Sequence, residues 1–223
     1  MARKLIEEKW SLKAIHRLIL NSAVYQQSSE YDPQDAEKDL DNRLLWRFSP
    51  RRLEAESIRD SMLAVSQALD RKMFGPGSLD EKMTRRSIYF MIKRSRLIPM
   101  MQIFDSPEPL VSVGARPATT IAPQALLFMN NPNVRQYANH FARRLLEPAD
   151  KEPKGESLKK LVDAGFQAAL ARKATQAELS RNVAFIRKQL ESYEREKKAN
   201  GMELALGDFC QVLFCLNEFI YID

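Results

Sequence analysis

Only two cysteines, two histidines and seven glycines occur among 223 residues, and each scarcity removes a class of function. Two cysteines supply no disulfide framework, and no CxxCH haem-attachment motif is present. Cys210 and Cys215 are five apart on an expected helix, about 140° around its axis, so they do not readily share a metal ion. Core packing is the expectation for both, since cysteine is among the most often buried residues. His16 and His140 each lack a second histidine or cysteine at ligand spacing, so no structural zinc is expected. Phosphate-cradling glycine loops and a GxSxG nucleophile elbow are absent. No stretch reaches the roughly 20 apolar residues of a membrane span. The start Met1-Ala2-Arg3-Lys4-Leu5-Ile6 is broken at once by Glu7-Glu8-Lys9, which leaves no room for the apolar core of a secretory signal.

What is present describes an ordered chain. Hydrophobic residues make up 44% and charged residues 29%, with a net charge of +6. That balance excludes wholesale disorder. A chain of this length buries roughly 70% of its unfolded surface, enough for a core without staples.

Hydrophobic periodicity predicts a mostly α protein: about six to eight helices, one short strand or hairpin near residues 86–93, and a long ordered proline-rich loop. Residues 1–223 are expected to form a single helical domain. Ser11 and the Asn131-Pro132 pair are expected helix N-caps, and Thr175-Gln176-Ala177-Glu178 is a capping box. Ser49-Pro50 predicts the start of a helix carrying Ile58, Met62, Val65 and Leu69. Pro123 opens a short helix. Pro148 to Gly155 is an expected charged linker, and Phe209, Val212, Leu213, Leu216 and Phe219 mark the last helix. Pro99, Pro107, Pro109, Gly114 and Pro117 punctuate a stretch from about 97 to 121, long enough to be either functional or packed by its own side chains.

The chemistry-bearing residues concentrate around that loop: Arg94, Asp105, Arg116, Thr119, Thr120, Gln124 and Asn130, with Trp46 from the polar N-terminal region. One reading is a pocket for an anion or a sugar, gripped by Arg94 or Arg116. The other is internal fastening, because an irregular segment has orphan backbone groups that need side-chain partners. No catalytic residue is assigned. Glu54 and Glu56 lie two apart in an expected helix, where side chains do not face each other, so solvation accounts for them. Arg85, Arg86, Lys93, Arg94 and Arg96 interleave with Tyr89 and Phe90 in a pattern compatible with stacking on RNA. Acidic residues are nevertheless spread among the basic ones along the chain, whereas nucleic-acid binders usually concentrate their charge.

Asn21 to Ser29, Asn42-Arg43-Leu44-Leu45-Trp46-Arg47, Arg51 to Asp60, Arg86-Ser87-Ile88-Tyr89 and Phe104-Asp105-Ser106-Pro107 form an ordered set of motifs. Arg116-Pro117-Ala118-Thr119-Thr120, Pro123-Gln124-Ala125-Leu126 and Asn217-Glu218-Phe219-Ile220-Tyr221 complete it. From about Trp10 to Asp223 the chain resembles the planctomycete-specific C-terminal domain of unknown function 1553. The resemblance implies an extracytoplasmic location and partner domains in a longer polypeptide, including a cytochrome-c-like domain that carries the haem; no cofactor is expected in this chain. It also implies that an N-terminal portion of the domain is missing here. Gln67 stands where the family tends to place a glycine, which puts the local turn in question. The expected function is a non-catalytic scaffold or docking domain; the alternatives are polysaccharide binding or processing, and nucleic-acid binding.

Overall fold

A computed structural model describes residues 1–147, 153 and 155–222. Most of the linker expected at 148–155 lies outside the described residues. The chain divides into two compact units, residues 1–51 with 221–223, and residues 52–220.

The first unit holds three helices, α1 (Ala2–Glu7), α2 (Leu12–Leu20) and α3 (Pro33–Lys38). Ser11 caps α2 as expected, its hydroxyl accepting from the Ala14 amide. Asp32 caps α3 by accepting from the Gln34 amide. The loop after α3 is held by its own side chains: Asp39 accepts from the Arg43 and Leu44 amides, and the Asn42 amide group donates to the Arg47 carbonyl. Trp46 donates its indole N–H to the Asp39 carbonyl, meets Tyr31 edge-on, and carries the Arg47 guanidinium over its ring.

The chain forms β1 (Arg51–Arg52), which pairs with β2 (Tyr221–Ile222) in a two-stranded sheet. The second unit contains α4 (Ala55–Val65), α5 (Pro99–Ile103), α6 (Ala122–Asn130), α7 (Pro132–Leu146), α8 (Glu156–Leu170), α9 (Gln176–Arg195), α10 (Gly201–Phe214) and α11 (Asn217–Ile220). The protein is mostly helical, as its periodicity predicts; seven of the helices have nine residues or more.

Helix α10 is apolar on nearly every side and forms the centre of the second unit, packing against α7, α8 and α9. Phe214 stacks on Phe141 and Phe209 on Phe166, while Phe219 of α11 closes the end against Phe214. Gly165 of α8 makes room for this: a methyl group there would lie 2.8 Å from the Phe209 ring. Cys210 sits in this core, and burial pushes its thiol well above the ordinary range. Cys215, expected in the core as well, is exposed, because it falls at the C-cap of α10 beyond the packed turns.

Two local expectations are corrected. Helix α4 begins at Ala55, not Pro50, because Arg51–Arg52 is extended and the Leu53 amide is taken by the Ile220 carbonyl. The apolar run at 86–93 is not a strand: residues Ser87–Tyr89 make a 3₁₀ turn, with isolated bridges between Ser78 and Phe90 and between Lys93 and Arg96. Asn200 stands at the N-cap position of α10.

At Gln67 the question raised by the sequence has a geometric answer. Its φ is +57°, the left-handed region that favours glycine. The Gln67 amide bonds to the Ala64 carbonyl and the Ala68 amide to the Leu63 carbonyl, the paired closure of a Schellman motif. A glutamine performs here the turn that glycine performs with less strain.

Candidate functional site

The loop following α5 is built around Asp105, which sits at φ +61°, a conformation aspartate tolerates better than most residues. Its carboxylate accepts 2.6 Å from the Arg52 guanidinium, 2.8 Å from the Thr119 amide and 2.9 Å from the Thr119 hydroxyl. Arg52 also lies over the Phe104 ring, and its side chain is only 5% exposed, against 13% for Asp105. Gln124, buried at the first turn of α6, donates to the carbonyls of Ile103 and Thr119, and its own carbonyl accepts from the Ile121 amide. These contacts tie both ends of the loop to α5 and α6.

A second knot forms around Arg59 of α4, which is 2% exposed. Its guanidinium donates to the carbonyls of Arg85 and Met83 and to the Ser87 hydroxyl, and it lies over the Phe90 ring. Burial pulls its pKa below the ordinary arginine value, opposed by Tyr137 and Asp60. Asp60 receives the Ser87 amide and hydroxyl, each at 2.7 Å. Arg85 stacks 3.6 Å over Tyr89 and donates to the carbonyls of Phe74 and Pro76. The arginine–aromatic interleaving therefore serves, at Arg59 and Arg85, to hold an irregular stretch together.

Arg116 lies at a cleft of about 380 Å³ whose walls include Ile88, Met91, Ile92, Leu97 and Met101. Its guanidinium bridges Glu56 at 2.7 Å and Glu54 at 3.3 Å. Glu54 and Glu56 thus converge on one cation, contrary to the expectation of independent solvated groups, because Glu54 is the N-cap of α4 and only Glu56 is inside the helix. Burial raises the Glu56 carboxyl, but the hydrogen bonds from Arg116 and from its own backbone outweigh it and leave the pKa lowered.

The structure brings Asp105, Thr119 and Gln124 into one network and sets Arg116 into the cleft. Thr120 is exposed beside Thr119. Arg94 is exposed on a turn and is not among the cleft-lining residues, Asn130 ends α6 exposed, and Trp46 belongs to the first unit. Sequence reasoning missed Arg52 and Arg59 as buried anchors and the two glutamates as the seat of Arg116. The signal lay in the segment from Arg51 to Asp60, where Arg52, Glu54, Glu56, Arg59 and Asp60 each prove to have an assigned partner. Among the described residues, no helix is long and apolar enough to cross a membrane. Residues 1–186 match the model of a family described as PSD1, protein of unknown function (DUF1553), whereas no curated protein and no solved structure matches.

Proposed function

Since the chain belongs to the PSD1 family of proteins of unknown function (DUF1553), we propose that it is a non-catalytic helical module that supports or docks other domains. The longer protein it serves is, on the resemblance described above, exported and linked to a cytochrome-c-like domain. One observation carries the reading: the Asp105 carboxylate is turned onto the buried Arg52 and onto Thr119, and is spent on fastening. A group so engaged is poorly placed to move protons or grip a substrate. Arg116 and Gln124 are engaged in the same way, with carboxylates and with backbone carbonyls.

The test is to mutate Asp105 and Arg116 singly and follow thermal unfolding. Both variants are expected to melt below wild type, Asp105 by far the more. Wild-type stability in both overturns the fastening account. Polysaccharide binding or processing is the second reading, favoured by the cleft in which Arg116 meets two carboxylates. A glycan array and a hydrolysis screen on the full-length protein decide it, and silence in both sets it aside. Nucleic-acid binding would show as an affinity that falls steeply with salt.

A further inference from the structure

The cleft beside Arg116 has a wall of unusual composition. Residues 84–104, which supply Ser87, Ile88, Phe90, Met91, Ile92 and Leu97 to its lining, contain five arginines and lysines and no carboxylate. The chain reverses between two lining residues, Ile92 and Leu97. A bond of 2.9 Å from the Arg96 amide to the Lys93 carbonyl closes the turn, and Lys93, Arg94, Ser95 and Arg96 are all exposed. Three exposed cations therefore stand on the turn that joins two residues of the cleft wall, although none of the three lines the cleft itself. The side chains behind them are open to solvent to a degree core residues never are: Ile88 is 73% exposed, Ile92 78% and Met91 47%. The opposite charge within the cleft is already used, since Glu54 and Glu56 are bridged by Arg116.

We infer that this cleft docks an acidic peptide segment bearing apolar anchor residues, presented by a partner domain. The inference rests on the docking reading above and names its partner by chemistry. Aliphatic and methionine side chains shape a pocket for apolar side chains, and a volume of about 380 Å³ is at the small end of the roughly 300–1,000 Å³ typical of ligand clefts. Bases prefer planar aromatic platforms, and both rings of this stretch are already engaged, Arg85 lying over Tyr89 and Arg59 over Phe90. Carboxylates flanking the anchors would meet Lys93, Arg94 and Arg96. Charge steers the encounter, and the apolar anchors hold the complex.

The probe is a fluorescein-labelled synthetic peptide of about ten residues in which glutamates flank two leucines, followed by fluorescence anisotropy with the full chain. Control peptides replace the leucines by serine or the glutamates by lysine. Binding of the glutamate–leucine peptide alone is expected, weakened about tenfold by Ile92→Asp and about tenfold by Lys93→Glu with Arg94→Glu. All three positions are exposed, so the variants should keep the wild-type melting curve. No binding of the glutamate–leucine peptide overturns the inference. Equal binding of the serine peptide, or no loss in Ile92→Asp, also overturns it. Displacement at matching affinity by an oligothymidylate or by vesicles of phosphatidylcholine and phosphatidylserine refutes it in favour of nucleic acid or lipid. Failure of the peptide with Asp105 variants still destabilised removes this partner and leaves the fastening account standing; the reverse pattern does the opposite.

Discussion

Among the described residues, the Arg52 side chain has two hydrogen-bond partners, Asp105 and the Phe104 carbonyl 3.4 Å away, and replacing Asp105 by alanine removes the stronger one. Two further guanidinium nitrogens of Arg52 are already buried without a partner, so nothing nearby takes up the charge. Breaking a buried ion pair from one side costs about 3–5 kcal/mol, because the surviving charge stays desolvated. Asp105 keeps 13% exposure, which lets some water reach the gap, so the low end, about 3 kcal/mol, is appropriate. For a domain of this size, each kcal/mol shifts the melting temperature by about 2–4 °C, which gives a drop of about 6–12 °C. Asp105→Asn keeps the shape, the tolerance of positive φ and one acceptor oxygen, and should lose about 2 kcal/mol. Melting followed by circular dichroism, with a double-mutant cycle adding Arg52→Met, separates the pair from the site. If Asp105→Ala and Asp105→Asn both melt within about 1 °C of wild type, the reasoning is refuted.

Gln67→Gly should raise stability by about 0.5–1 kcal/mol, read from denaturant midpoints, because it relieves the positive φ at the end of α4; a loss would mean the glutamine side chain matters more than its backbone. Arg59→Lys keeps the charge but cannot span the carbonyls of Met83 and Arg85, so a loss of about 2 kcal/mol and faster proteolysis of the 83–90 segment are expected. Gly165→Ala gains about 1 kcal/mol of helix propensity but drives a methyl into the buried Phe209 ring, and overpacking of about 1–3 kcal/mol should dominate in a chemical melt. Hydrogen bonds from Arg172, and then from Thr175, lower the Glu178 carboxyl from 4.5 to about 2. A carboxyl depressed in the folded state contributes stability that is present above its unfolded pKa and lost as pH falls through the folded value. The melting temperature should therefore decline between about pH 4.5 and pH 2, and Arg172→Met should flatten that decline; an unchanged slope would remove Glu178 from the account.

The helical character was legible because apolar spacing and capping chemistry are local. Ser11, Asn131 and Thr175 each cap the helix their sequence announces, since a cap needs only the amides two or three residues away. Pro50 misled for the opposite reason: a distant carbonyl, that of Ile220, claims the backbone at Leu53 and delays the helix. The run at 87–92 reads as strand by composition, yet Arg59 and Asp60 of α4 clamp it into a turn.

For the polar cluster, the sequence supplied Asp105, Thr119 and Gln124 but not the residue that binds them together. Arg52 is 53 positions from Asp105, and no periodicity links them. Composition and spacing determined that this chain makes helices, where many of them begin, and which loop carries unusual chemistry. Whether a charged side chain of that loop faces water or a buried counter-charge was decided only by the packing of α4, α5 and α6 around it, because the energy of a charge depends on its surroundings in three dimensions and not on its neighbours along the chain.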